Sequence, residues 1–116
     1  MLPVELSKRV DARQAELRLR VDKDLFWFQG HFPAYPLLPG MAQLDWVMVY
    51  GGELLAPGWR FSAVESIKFQ CPIPPDSTLR LKLAWQEEKH LLIFSYGILH
   101  GDMEHVASSG KISLCR

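Results

Sequence analysis

Residues 15–22, AELRLRVD, alternate strictly: Leu17, Leu19 and Val21 fall on one side, Glu16, Arg18, Arg20 and Asp22 on the other. A period of two marks a strand with one buried face. The same period returns after Pro57. In 61–71, FSAVESIKFQC, Ile67, Phe69 and Cys71 face one way while Ser66, Lys68 and Gln70 face the other. PIPPDS at 72–77 predicts a turn, because proline offers no donor to a ladder. Leu79, Leu81, Leu83 and Trp85 then alternate with Arg80 and Lys82 up to the charged turn at 86–89. The segments 91–99 and 104–115 follow, joined by HGDM, where Gly101-Asp102 suits a two-residue hairpin.

Between the first strand and the later ones the period changes. Residues 23–38 show none and run into the punctuation of Pro33, Pro36 and Pro39. From Pro39 to Leu55 there is room for about four turns of helix. Pro39 fits a first helical position, where its missing N–H costs nothing. Gly51-Gly52 weakens the last turn and Pro57-Gly58 ends it. Met41, Leu44, Trp46, Val47, Met48, Val49 and Tyr50 cover nearly every angle around the axis. A helix apolar all round is expected to be buried. The fold class that follows is α+β, an antiparallel sheet wrapped around one long helix. So short a chain can hardly enclose that helix alone, and a second copy is expected alongside.

Composition narrows the setting. A length of 116 residues predicts one domain, 1–116, with a modest core. Hydrophobic residues at 48% and charged residues at 22% describe an ordinary globule. Thirteen basic and 13 acidic residues cancel, so no basic field argues for nucleic acid. MLPVELSKRV has no apolar core of a leader, and no apolar run reaches membrane-spanning length. Cys71 and Cys115, without a CxxC, read as reduced, partly buried thiols of a cytoplasmic protein.

The chemistry concentrates in FQGHFPAYPLLPGMAQLD, residues 28–45. His31 sits between Gly30 and Phe32-Pro33, on a stretch too broken for regular structure. Asp45 is a lone acid in an apolar helix with no basic residue in the neighbouring turns. Desolvation there is expected to raise its pKa, which suits proton donation near neutral pH. Gly40 opens the helix, so its N–H has no intrahelical acceptor and points out along the positive end of the dipole. Such a donor can hold a thioester oxygen as charge develops on it. A base, an acid and an oxyanion donor are the parts needed to remove water from a β-hydroxy thioester. Plainer roles stay open: a loop histidine bonding a carbonyl, and an acid at a wet helix edge. His90, His100 and His105 lack metal-ligand spacing, and neither a nucleophile elbow nor a phosphate loop occurs. No metal and no cofactor are expected.

GHFPAYPLLPG resembles the GHFP…P…MPG signature of the β-hydroxyacyl-(acyl carrier protein) dehydratases, the FabZ/FabA-type hotdog-fold enzymes. The resemblance implies His31 as the catalytic histidine, Gly40 as the oxyanion N–H and Asp45 as the acid. Aspartate at that place is similar to the FabA branch; FabZ carries glutamate. FSAVESIKFQCPIPPDSTLRLKL resembles the strand and P…PGD turn that follow, with Pro75-Asp76 in place. Phe28, Phe32 and Tyr35 are candidates to line an acyl channel, with core packing the alternative role for each one singly. The resemblance further implies an acyl carrier protein as partner. It also implies a homodimer whose sites take the histidine from one subunit and the acid from the other. Val49 replaces the glutamine that many members carry one turn after the acid, and Leu38 stands where methionine is usual. With its short chain, this is the pattern of a compact accessory dehydratase, similar to those of aryl-polyene or polyketide-like pathways. Two alternatives keep the same fold. A hotdog thioesterase would use the helix carboxylate to activate water, and an acyl-binding or scaffold subunit would have lost the chemistry.

Overall fold

The computed structural model describes residues 2–23 and 38–116. The elements are β1 (Val4–Val10), β2 (Gln14–Val21), α1 (Gly40–Leu54), β3 (Arg60–Phe69), β4 (Ser77–Gln86), β5 (Leu91–His100) and β6 (Met103–Cys115). The strands form one sheet in the order β1-β2-β4-β5-β6-β3, every neighbouring pair antiparallel. The five strands expected from the alternation are present. Gly101, at φ 59°, makes the short turn between β5 and β6, the backbone a two-residue hairpin demands.

Alternation decides which side of the sheet is dry. Leu17, Leu19 and Val21 of β2 are fully buried, as are Leu79 and Leu81 of β4 and Leu92 of β5. They share one core with Ala42, Trp46, Val47 and Tyr50 of α1. The sheet therefore wraps the helix, the hotdog arrangement, and only one face of α1 is wrapped. Its buried stripe is Ala42, Gln43, Trp46, Val47, Tyr50 and Gly51. Gly51 is dictated by contact: a Cβ there would lie 2.5 Å from a methyl of Leu92.

Four expectations need correction. The helix is not buried all round: Met41 is 79% exposed and Asp45 is exposed, while Met48 and Val49 are half-buried. A single sheet can cover only the side it curls against. Among the described residues, Asp45 therefore lacks the apolar surroundings that its place in an apolar run predicts. Pro39 lies one residue outside the helix, in an extended conformation (φ −62°, ψ 149°), and Gly40 is the first helical residue. Cys115 is exposed and only Cys71 is half-buried; both thiols are free.

One strand was not expected at all. β1 is exposed along its whole length and is bulged between Glu5 and Ser7, so no buried face stamps a period on it. β3, at the opposite edge, is exposed everywhere except at Ile67 and leaves Phe61, Val64 and Phe69 open.

Candidate active site

The entry to α1 is held from below. Leu38, buried, donates its N–H to the carbonyl of Ile73 at 2.8 Å. The Pro39 carbonyl then accepts from Ala42 and Gln43 at 3.1 and 3.3 Å, closing the first turn. Gly40 has no acceptor within the helix, and its N–H lies at the positive end of the dipole. Space is tight here as well. A Cβ on Gly40 would stand 2.6 Å from Cζ of Phe69, whose ring lies against the helix start. A cavity of about 330 Å³ opens at this corner, lined by Leu38, Gly40, Gln43, Phe69, Gln70, Cys71 and Pro72. A larger depression of about 580 Å³ touches β1, β2, β4 and β5 but none of the motif residues.

Beneath that turn lies a polar group that periodicity alone does not reveal. Gln43 is only 4% exposed, and its side-chain oxygen accepts from the Ser108 hydroxyl at 2.6 Å. Its Nε2 faces the Leu38 carbonyl at 3.5 Å. Its main-chain carbonyl accepts from the Tyr96 hydroxyl at 2.6 Å. Burial drives the Tyr96 phenol well above its ordinary value, and the hydroxyl of Tyr50 and the charge of Asp45 push the same way. In this bond the Tyr96 hydroxyl is the donor. Tyr50 is raised too, first by burial and then by Glu5 and Glu53.

Asp45 follows Gly40 by five residues, about 7.5 Å along the axis. It shares the open side of the helix with Met41 and Met48. Gly40 and Asp45 thus sit on one rigid element, the first over the cavity and the second facing outward. His31, Phe28, Phe32 and Tyr35 lie outside the described residues. Among the described residues, no group of three or more His, Cys, Asp or Glu side chains could hold a metal ion. No helix among them is long and apolar enough to cross a membrane.

Gln43 could have been noticed as a second polar intrusion into the helix's apolar run. Ser108 and Tyr96 carry no local signal, because only the packing of β5 and β6 beneath α1 brings them to it.

Among the described residues, a six-stranded antiparallel sheet around α1 is the hotdog arrangement, and the solved structures it resembles include dehydratases. Residues 7–111 match the ApeI-like family model, described as ApeI dehydratase, and the chain belongs to that family. It is similar to an uncharacterized protein of Erwinia carotovora subsp. atroseptica, at 58% identity, a TM-score of 0.94 and coverage of 99% of this chain and 97% of that one. It is also similar to a structure of the dehydratase heterocomplex ApeI:P of Xenorhabdus doucetiae. That match has 52% identity, a TM-score of 0.93 and full coverage of both chains. The FabZ 3-hydroxyacyl-(acyl-carrier-protein) dehydratase of Geobacter metallireducens is 33% identical over 67 residues, covering 50% of this chain and 45% of that protein. The chain spans about half the length of the curated relatives it matches.

Proposed function

We propose that this dehydratase acts on 3-hydroxyacyl thioesters carried by an acyl carrier protein, giving trans-2-enoyl thioesters. The observation that carries the reading is the start of α1: Gly40 is the first helical residue and lines a cavity, with the Asp45 carboxylate on the same helix. In this reading neutral His31 takes the C2 proton while the Gly40 N–H stabilises the negative charge developing on the thioester oxygen. Asp45 then protonates the departing 3-hydroxyl, water leaves and the C2–C3 double bond forms. The two titratable groups divide base from acid work. In the same reading Phe28, Phe32 and Tyr35 are the residues assigned to contact the acyl chain.

The site is completed by a second chain. An exposed Asp45 cannot work as a shielded acid unless something covers the open side of α1. The free edge of β3, with Phe61, Val64 and Phe69 exposed, supports assembly there. A second copy is the simplest occupant, and the similarity to the Xenorhabdus dehydratase heterocomplex makes a different subunit a second one to try.

The test is incubation with a panel of 3-hydroxyacyl carrier-protein thioesters, followed by mass. Loss of water is expected from wild type and not from folded His31→Ala. A wild-type chain that dehydrates none of them, alone or with a partner subunit, overturns the reading, as does an undiminished rate in His31→Ala.

A further inference from the structure

We infer that Gln43 is a positioning residue: with Ser108 and Tyr96 it locks the first turn of α1, and so the Gly40 N–H, onto β5 and β6. This rests on the dehydratase reading above.

Gln43 lies in the helix's buried stripe, where an apolar side chain of the same length would serve packing. Directional bonds are what the amide adds. Its oxygen accepts from Ser108, a residue wholly removed from solvent on β6. Its nitrogen reaches back to the Leu38 carbonyl, where the chain enters the helix. Leu38 is in turn tied to Ile73. Tyr96 of β5 holds the Gln43 main-chain carbonyl as a third point. One residue therefore connects two strands and the incoming chain, three positions after the proposed oxyanion donor. The same side chain borders the cavity beside Gly40. A preorganised N–H stabilises a developing oxyanion only while it is held in place, so slack at this turn is expected to slow the chemical step rather than weaken binding.

The test compares Gln43→Met, Ser108→Ala and the double variant. Ser108→Ala strands the Gln43 oxygen, and Gln43→Met strands the Ser108 hydroxyl and frees the Leu38 carbonyl from its long contact; the double change removes the Gln43–Ser108 pair together and restores an apolar fit there. The expected result is a fall in kcat of about 10- to 100-fold in each single variant, with KM little changed. In the double variant the melting temperature returns towards wild type while kcat stays low. Wild-type kcat in the double variant, or in folded Gln43→Met, overturns the proposal, since packing alone would then suffice. If Gln43→Met does not fold, Ser108→Ala and the double variant decide on the same criteria. A second readout is independent of turnover: amide exchange at Leu38 and Ala42 should quicken about tenfold or more in Gln43→Met, with Trp85 at the far end of β4 unchanged. Unaltered exchange at Leu38 and Ala42 overturns the proposal even if wild type dehydrates nothing, a result that would count separately against the dehydratase reading.

Discussion

Replacing Gly40 with alanine separates the chemistry of the helix start from its packing. The added Cβ would stand 2.6 Å from Cζ and 3.1 Å from Cε1 of Phe69. Carbon atoms in contact prefer about 3.5–4.0 Å, so an overlap near 1 Å must be relieved. Phe69 is 54% exposed on an edge strand, and its ring can swing outward. The strain should therefore fall at or below the low end of the roughly 1–3 kcal/mol typical of overpacking. Alanine's better helix propensity offsets up to about 1 kcal/mol of it. The melting temperature should move by no more than about 4 °C. Turnover should move much further, because the methyl shields the N–H at the mouth of the cavity. Complete loss of one such donor costs about 2.7–4 kcal/mol, roughly 100- to 1000-fold in rate. The N–H itself survives here, so a fall of about 10- to 100-fold is expected. The assay is steady-state dehydration of a carrier-bound 3-hydroxyacyl thioester beside a thermal melt. Gly40→Ala/Phe69→Ala, which removes the overlap but keeps the methyl, should remain slow. Wild-type turnover in Gly40→Ala, or full recovery in the double variant, would refute the donor role.

Asp45→Asn should change the stability of the single chain by no more than about 0.5 kcal/mol, as expected for a side chain exposed there. It should lower turnover at least about tenfold; equal turnover, read beside a thermal melt, removes Asp45 from the chemistry. Co-refolding inactive His31→Ala with inactive Asp45→Ala should restore roughly a quarter of wild-type activity, since about half the dimers are mixed and each has one intact site of two. No recovery, with mixed dimers shown to be present, would place both residues of a site in one chain. The Tyr96 phenol, raised chiefly by burial, stays protonated in the folded chain while the unfolded chain ionises near 10.0. Its contribution is thus fully present below pH 10 and is lost above it at about 1.4 kcal/mol per pH unit. Denaturant melts from pH 9 to 11 should therefore show a shallower alkaline loss in Tyr96→Phe, and an identical slope would contradict the burial.

The sequence by itself determined the local elements and the site motif. Alternation placed β2 and β3 to β6, Pro39 and Pro57 bracketed α1, and Gly101-Asp102 marked the hairpin. The spacing of His31, Gly40 and Asp45 pointed to a dehydratase, and the family match agrees with that class. These signals are legible because they depend on neighbours a few residues apart. What only the tertiary structure decided depends on distant partners. β1 carries no clear period, because an edge strand with no buried face needs none. The pairing of β2 with β4, and of β3 with β6, joins segments that no local pattern connects. The apolar count of α1 carries no direction, so it cannot tell that Asp45 faces away from the dry interior, which the sheet supplies to only one side of the helix. Gln43, Ser108 and Tyr96 meet across 53 and 65 residues of chain, and a hydrogen bond of that span exists only once the sheet has closed beneath the helix.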